Sequence, residues 1–219
     1  MSNLPAEQPL VTGRLDFINV SEPRTVEWHG HEISTSIFKS PVSGPTRLEG
    51  VNVRGDDQAD RAVHGGPDMA VYAYASEDAT WWADALGREV PPGTFGENLT
   101  TTGIDVTGAV IGEIWRIGET ILEVSQPRIP CYKLGIAMDD DDFPRRFGLE
   151  VRPGAYLRIL TEGTINPGDE ITMVSRPDHG VTVGDVARAH VNHDPGSVDW
   201  RSVDALAAKW HHWAASMSR

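Results

Sequence analysis

The hydrophobic pattern of this chain changes period once, near residue 178. Before that point, short apolar or β-branched runs are broken every few residues by Gly, Pro, Asn or Asp. After it, apolar residues recur at helical spacing. Runs at 14–20, 25–29, 32–38, 51–53, 70–75, 113–117, 120–125, 155–160 and 170–174 read as strands. His29-Gly30 and Gly118-Glu119 supply hairpin turns, and Asn166-Pro-Gly-Asp169 is a turn sequence. The segment 39–45 reads as a loop, and the polar stretch 55–68 as a longer one of the kind that carries function. One helix interrupts the strands. Ser76 is expected to cap it, Glu77 and Asp78 suit its positive end, Trp81, Trp82 and Ala85 give it an apolar face, and Gly87 stops it. A shorter helix is expected from the acidic run 139–142 through Phe147, with Gly148 as its stop. That run reads as a solvated helix start, with a metal site the lesser alternative.

In the tail, Thr182 and Asp185 form a capping pair ahead of Val183, Val186 and Ala187. Val203, Leu206, Ala207, Trp210, Trp213, Ala214 and Met217 then make one apolar helical stripe. The expected fold is mainly β with helices: a strand-rich domain over residues 1–177 and a small helical domain over 178–219. The tail can cover the strand-rich part, form a homodimer through Trp210 and Trp213, or dock a redox partner. Burial within the same chain is the default for an apolar helix face.

Composition excludes several classes. A net charge of −13 disfavours nucleic acid and anionic membrane surfaces, which attract basic faces. No apolar run approaches the ~18 residues of a spanning helix, and the first residues lack a basic-then-apolar leader pattern, so a cytoplasmic protein is expected. The single cysteine rules out an internal disulfide, an all-cysteine iron–sulfur site and a four-cysteine zinc site. No phosphate-binding glycine loop, dinucleotide fingerprint or Gly-x-Ser-x-Gly elbow is present.

That cysteine, Cys131, stands in Ser125-Gln-Pro-Arg-Ile-Pro-Cys-Tyr-Lys133. Two prolines stiffen the backbone before it, and Arg128 and Lys133 bracket it with positive charge. Such neighbours favour the thiolate, the form that ligates metals and attacks carbon. Only three of the 19 basic residues are lysine, and Lys39 and Lys133 fall in or beside such segments. His64 lies in Val63-His-Gly-Gly-Pro-Asp68, where glycines let backbone approach a ligand. Cys131 and His64 permit two chemistries: a Cys–His nucleophile pair oriented by Asn98 or Asp60, or a pocket for an anionic cofactor whose metal takes the sulfur. His29 and His31, and His211 and His212, are weak metal candidates. The second pair diverges by about 100° on a helix.

Gly55-Asp-Asp-Gln-Ala-Asp60, His64-Gly-Gly-Pro-Asp68, Phe95-Gly-Glu-Asn-Leu-Thr100, the Cys131 segment and Gly154-Ala-Tyr-Leu-Arg158 together resemble the MOSC domain and, within it, the YiiM-type branch. The resemblance spans roughly residues 12–175, and the tail resembles that branch's three-helix appendage. It implies a β-barrel-like core and the molybdenum cofactor (molybdopterin), with the metal on Cys131. It also implies reduction and detoxification of N-hydroxylated compounds such as N-hydroxylated purine bases. Lys39, His64, Asn98, Arg128 and Lys133 fall in or near matching motifs as candidate cofactor contacts, and His64 is also a candidate proton donor. With no flavin, haem or iron–sulfur motif, electrons are expected from a separate redox protein. A carrier or sensor that holds the cofactor, or sulfur on Cys131, without turnover is the alternative. A cysteine hydrolase and a purely structural domain rank below it.

Overall fold

The computed structural model describes residues 12–57 and 65–217. Its strands are β1 (Thr12–Val20), β2 (Arg24–Trp28), β3 (His31–Thr35), β4 (Ser40–Val42), β5 (Thr46–Glu49), β6 (Asn52–Val53), β7 (Val71–Ala75), β8 (Leu99–Thr102), β9 (Ile114–Ile117), β10 (Thr120–Pro127), β11 (Ala155–Thr161), β12 (Gly163–Ile165) and β13 (Glu170–Ser175). The helices are α1 (Ser76–Leu86), α2 (Tyr132–Met138), α3 (Phe143–Leu149), α4 (Val183–Val191) and α5 (Ala208–Met217).

Seven strands in the order β13-β9-β10-β11-β7-β8-β1 close on themselves, because β1 also pairs with β13 from Thr12↔Thr172 to Arg14↔Glu170. Closure leaves those strands no open edge. Within the barrel only β7 and β8 run parallel, Ala73 opposite Leu99. A parallel pair needs a crossover, and α1 provides it. Ser76 is its first helical residue rather than its cap, which is Ala75, and Gly87, at φ 62°, ends it in the left-handed conformation. β2 and β3 form a separate hairpin, and β12, β5 and β6 a small second sheet.

Leu15, Ile18, Leu99, Trp115, Leu122 and Leu157 belong to the central core, and Val183, Val186, Val203, Leu206 and Trp210 of the tail join the same cluster. A second cluster joins Tyr72 and Tyr74 of β7 to Trp82 of α1, Phe95, and Phe143 and Phe147 of α3.

Elsewhere the helices depart from the sequence reading at three places. Residues 132–138, to which the sequence reading assigned no element, form α2. Asp139, at φ 54°, ends α2 in the left-handed conformation and Asp142 is the N-cap residue of α3, so the acidic run leads a helix as expected and also closes the one before it. α3 begins at Phe143 and contains Gly148 instead of stopping there. In the tail, Val203, Leu206 and Ala207 precede α5. Asp194 and Asp199 accept hydrogen bonds from the backbone N–H groups of Gly196 and Arg201, which bends the chain into single 3₁₀ turns at Pro195–Ser197 and Trp200–Ser202. These turns stand where a third helix was expected; of the apolar stripe, Val203, Leu206, Ala207, Trp210 and Ala214 are buried, Trp213 is partly so, and Met217 is exposed.

Candidate functional site

The register puts one end of the barrel where β1 and β10 finish and β8 and β11 begin: Ile18 pairs with Leu99, and Pro127 with Ala155. A cleft opens there. Its lining includes Lys39, Asn98, Arg128, Cys131 and Lys133 together, residues separated by up to 94 positions in the chain (133 − 39). His64 and Asp60 lie outside the described residues.

Arg128 follows the last residue of β10 and is only 4% exposed. Its guanidinium lies 5.9 Å from the Tyr72 ring centre and 5.3 Å from that of Phe147. Cys131 is half-buried and directly precedes α2, with Lys133 in the first turn of that helix. Lys133 has no ion-pair partner among the described residues. Tyr72 and Tyr156 also line the cleft, and burial pushes both phenols up. Arg128 opposes the shift in each, while Cys131 adds to it for Tyr156. Both hydroxyls therefore stay protonated at ordinary pH.

Lys39 sits between β3 and β4 and forms a buried ion pair with Asp56, a residue that sequence reasoning did not single out. Its side chain is 9% exposed and that of Asp56 is 2%. Burial pulls the Lys39 pKa below its ordinary value, and Asp56 opposes this. Asp56 also accepts from Ser21 N–H at 2.8 Å and from Asn98 Nδ2 at 2.9 Å. The signal for Asp56 was its place in Gly55-Asp-Asp-Gln-Ala-Asp60, but three aspartates there look alike without the fold.

Asn98 is a keystone of the cleft floor. Its Oδ1 accepts from Tyr72 N–H at 3.1 Å, and Nδ2 also donates to Asn19 O at 3.3 Å. With its amide engaged by protein groups, it holds Asp56 and β7 in place, and its nitrogen is not poised to orient a catalytic imidazole. The neighbouring Glu97, fully buried, accepts from Gly93 N–H at 2.6 Å, Phe95 N–H at 3.0 Å and Thr100 Oγ1 at 3.1 Å, which shapes the loop.

Asp68 of the His-Gly-Gly-Pro-Asp segment is anchored from below. Its carboxylate takes Arg158 Nε at 2.6 Å, and its carbonyl takes Ser125 Oγ at 2.7 Å and Gln126 Nε2 at 3.0 Å. Ser125 is the extra residue of a bulge in β10. Trp210 of α5 donates to Gln126 Oε1 at 2.9 Å, so the tail braces this segment.

Two buried polar atoms of the cleft, Arg128 Nη1 and Ser36 Oγ, have no hydrogen-bond partner among the described residues. Both can donate, and an anionic group would satisfy them. A soft thiol, a buried guanidinium and the Lys133 ammonium, beside a Lys39 already paired with Asp56, together suit a soft-metal centre carried by an anionic organic ligand. No cluster of three or more His, Cys, Asp or Glu able to cage a metal occurs among the described residues. The donor set thus fits a metal that brings most of its own ligands.

Residues 60–172 match the family model described as the MOSC domain. The chain belongs to the MOSC domain family. It is 33% identical over 202 residues to the uncharacterized protein YflK of Bacillus subtilis (strain 168), covering 92% of this chain and 91% of that protein. A protein named Reductase from Gibberella moniliformis (strain M3125 / FGSC 7600) is 35% identical over 159 residues, covering 68% of this chain and 27% of the longer protein. Among solved structures, YiiM from Geobacillus stearothermophilus superposes with a TM-score of 0.78 at 27% identity, covering 94% of this chain and all of that one. The MOSC match ends before the helical tail, whereas the likeness to YiiM takes in most of the chain. No helix among the described residues is long and apolar enough to cross a membrane.

Proposed function

We propose that this MOSC protein is a molybdenum-cofactor-dependent reductase of N-hydroxylated compounds, with N-hydroxylated purine bases as the model substrates and detoxification as the role. The observation that carries the reading is the convergence of Cys131, Arg128, Lys133 and Lys39 on one cleft in a chain of net charge −13. The relative named Reductase supports oxidoreductase chemistry. The reaction is R–NHOH + 2e⁻ + 2H⁺ → R–NH₂ + H₂O, with electrons from a separate redox protein. When bound, the cofactor supplies the two-electron exchange at the N–O bond.

The protein's own part is binding, orientation and protons. The Cys131 sulfur would hold the metal, from its place between Pro130 and the start of α2. Arg128 presents a planar pair of donors to a phosphate or to the charged face of the ligand, and Tyr72 and Phe147 fix its plane. Lys133 adds a point charge at the rim. One unit pair at 4 Å is worth about 4 kcal/mol at an effective dielectric of ~20, so each such cation matters to affinity. Lys39 Nζ, whose pKa burial lowers, yields a proton more readily than an exposed ammonium. His64 is assigned as a second proton donor or a pterin contact.

The test is metal analysis of the purified protein together with reduction of 6-hydroxylaminopurine by a chemical electron donor, comparing wild type with Cys131→Ala. Molybdenum bound to wild type and activity lost in Cys131→Ala are the expected results. Equal activity in the two proteins ends the reading. Bound cofactor without turnover in wild type replaces it with a carrier or sensor.

A further inference from the structure

A second hollow, of about 340 Å³, shares Arg128 and Ile129 with the cleft but is otherwise walled by different elements. Pro144, Phe147 and Leu149 form one side, Pro130 and Pro153 flank it, and Val191 of α4 closes the other. Its volume is in the span of small-molecule sites, and its walls are mostly apolar, as such sites are.

Charge sets this hollow apart. The chain has 32 acidic residues, yet none is among the residues that line it. Its polar lining is Arg128, Arg145, His190 and His193. Arg145 is engaged by Asp142 at 2.7 Å. Arg128 has no carboxylate partner among the described residues, and its Nη1 is buried without a hydrogen bond. Burial pulls the His190 pKa down, with His193 and Lys209 acting in the same direction, so its imidazole serves as a neutral hydrogen-bonding group.

The backbone here is unusual as well. Four non-glycine residues among those described have left-handed φ values, and two of them, Val151 and His193, line this hollow at φ 51° each. A β-branched residue in that region is a genuine outlier, and such strain gathers at ligand sites.

We propose that this hollow is a binding site for a small organic anion with an apolar body, an aromatic carboxylate being the simplest form. The carboxylate would sit on Arg128 and the body between the proline-rich wall and α4. Arg128 borders both spaces, so an anion bound in the cleft competes for the same guanidinium; the proposal is read by binding alone, and its failure leaves the reductase reading untouched. Through Arg128, its occupant touches the same segment that carries Cys131.

Gly148 supplies a clean test. It is helical and its φ is not positive, and a Cβ there would meet Pro130 Cγ at 3.7 Å and Val191 Cγ2 at 3.9 Å, ordinary contact distances. Gly148→Leu therefore fills the hollow while favouring the helix. Calorimetric titration of the full chain, as purified, with 2-naphthoate and with the neutral 2-naphthalenemethanol reads the proposal directly. Expected are saturable one-to-one binding of naphthoate, at least about tenfold weaker binding of the alcohol, and loss of naphthoate binding in a fully folded Gly148→Leu protein. No naphthoate binding to wild type, equal binding of acid and alcohol, or unchanged binding in Gly148→Leu overturns it. If Gly148→Leu melts well below wild type, Val191→Trp takes its place, with the same two outcomes.

Discussion

Replacing Asp56 by Asn tests the electrostatics of the cleft floor. Lys39 and Asp56 are nearly buried, at 9% and 2% side-chain exposure, and among the described residues Asp56 is the one carboxylate paired with the Lys39 ammonium. Asn keeps the shape but removes the charge, so Lys39 remains desolvated without compensation. Breaking a buried pair in this way costs about 3–5 kcal/mol. The loss has a pH signature. Burial already holds the Lys39 pKa below its value of 10.5, and Asp56 limits that drop. Without Asp56 the folded pKa falls further, while the unfolded value is unchanged. Between the variant's folded pKa and that of the wild type, the extra destabilisation grows by about 1.4 kcal/mol for each unit the pH is lowered. Above the wild-type folded pKa this component vanishes, and only the lost acceptor geometry toward Ser21 and Asn98 remains. Urea unfolding followed by tryptophan fluorescence, from roughly neutral pH into the alkaline range, measures both parts. A double cycle with Lys39→Met should return a coupling energy of about 2–3 kcal/mol at neutral pH. An Asp56→Asn penalty under about 1 kcal/mol at neutral pH, or one that does not shrink as pH rises, refutes this account of the pair.

Three further outcomes are expected. Gly154→Ala should destabilise by about 3 kcal/mol or more, because φ is 65° and a Cβ would meet Ala73 O at 2.6 Å and Tyr72 Cε2 at 2.8 Å; thermal melting reads it. Trp210→Phe keeps the apolar filling but leaves Gln126 Oε1 without its donor, at a cost of about 1–3 kcal/mol, and hydrogen exchange should quicken at residues 65–69 if α5 braces that segment. Burial raises the Glu97 pKa above 4.5, so its contribution is fully present below 4.5 and is lost as pH rises through the folded value; Glu97→Gln should therefore flatten that part of the stability–pH curve.

Much of the fold was readable because local chemistry and tertiary structure agree. The hairpin turns at His29-Gly30 and Gly118-Glu119 were visible from turn residues, and the pair Thr182–Asp185 from its capping spacing, which the structure shows in both directions. α2 was missed because its seven residues hold too short an apolar pattern to stand out, and Leu134 and Met138 are fixed by packing on the aromatic cluster. β4, β5 and β12 were missed for a related reason: strands of three or four residues gain their identity from partners elsewhere in the chain. At the site, Lys39, Asn98, Arg128, Cys131 and Lys133 were legible one by one, but their convergence follows from barrel register, which no single segment encodes. Ser36 gave no signal at all. Asp56 became distinct from its neighbours only through the buried lysine it meets.

One partner of the closing pair lies wholly outside the span of the family match, since β1 ends at Val20, and the match stops half-way along β13, at residue 172. A fragment trimmed to residues 60–172 would keep Cys131 and Arg128 yet lose β1, baring the flank of β8 and that of what remains of β13, two rows of peptide groups ready to zip onto another molecule. Minimal fragments cut for crystallisation or screening should therefore clump, and the shortest well-behaved piece must begin by residue 12.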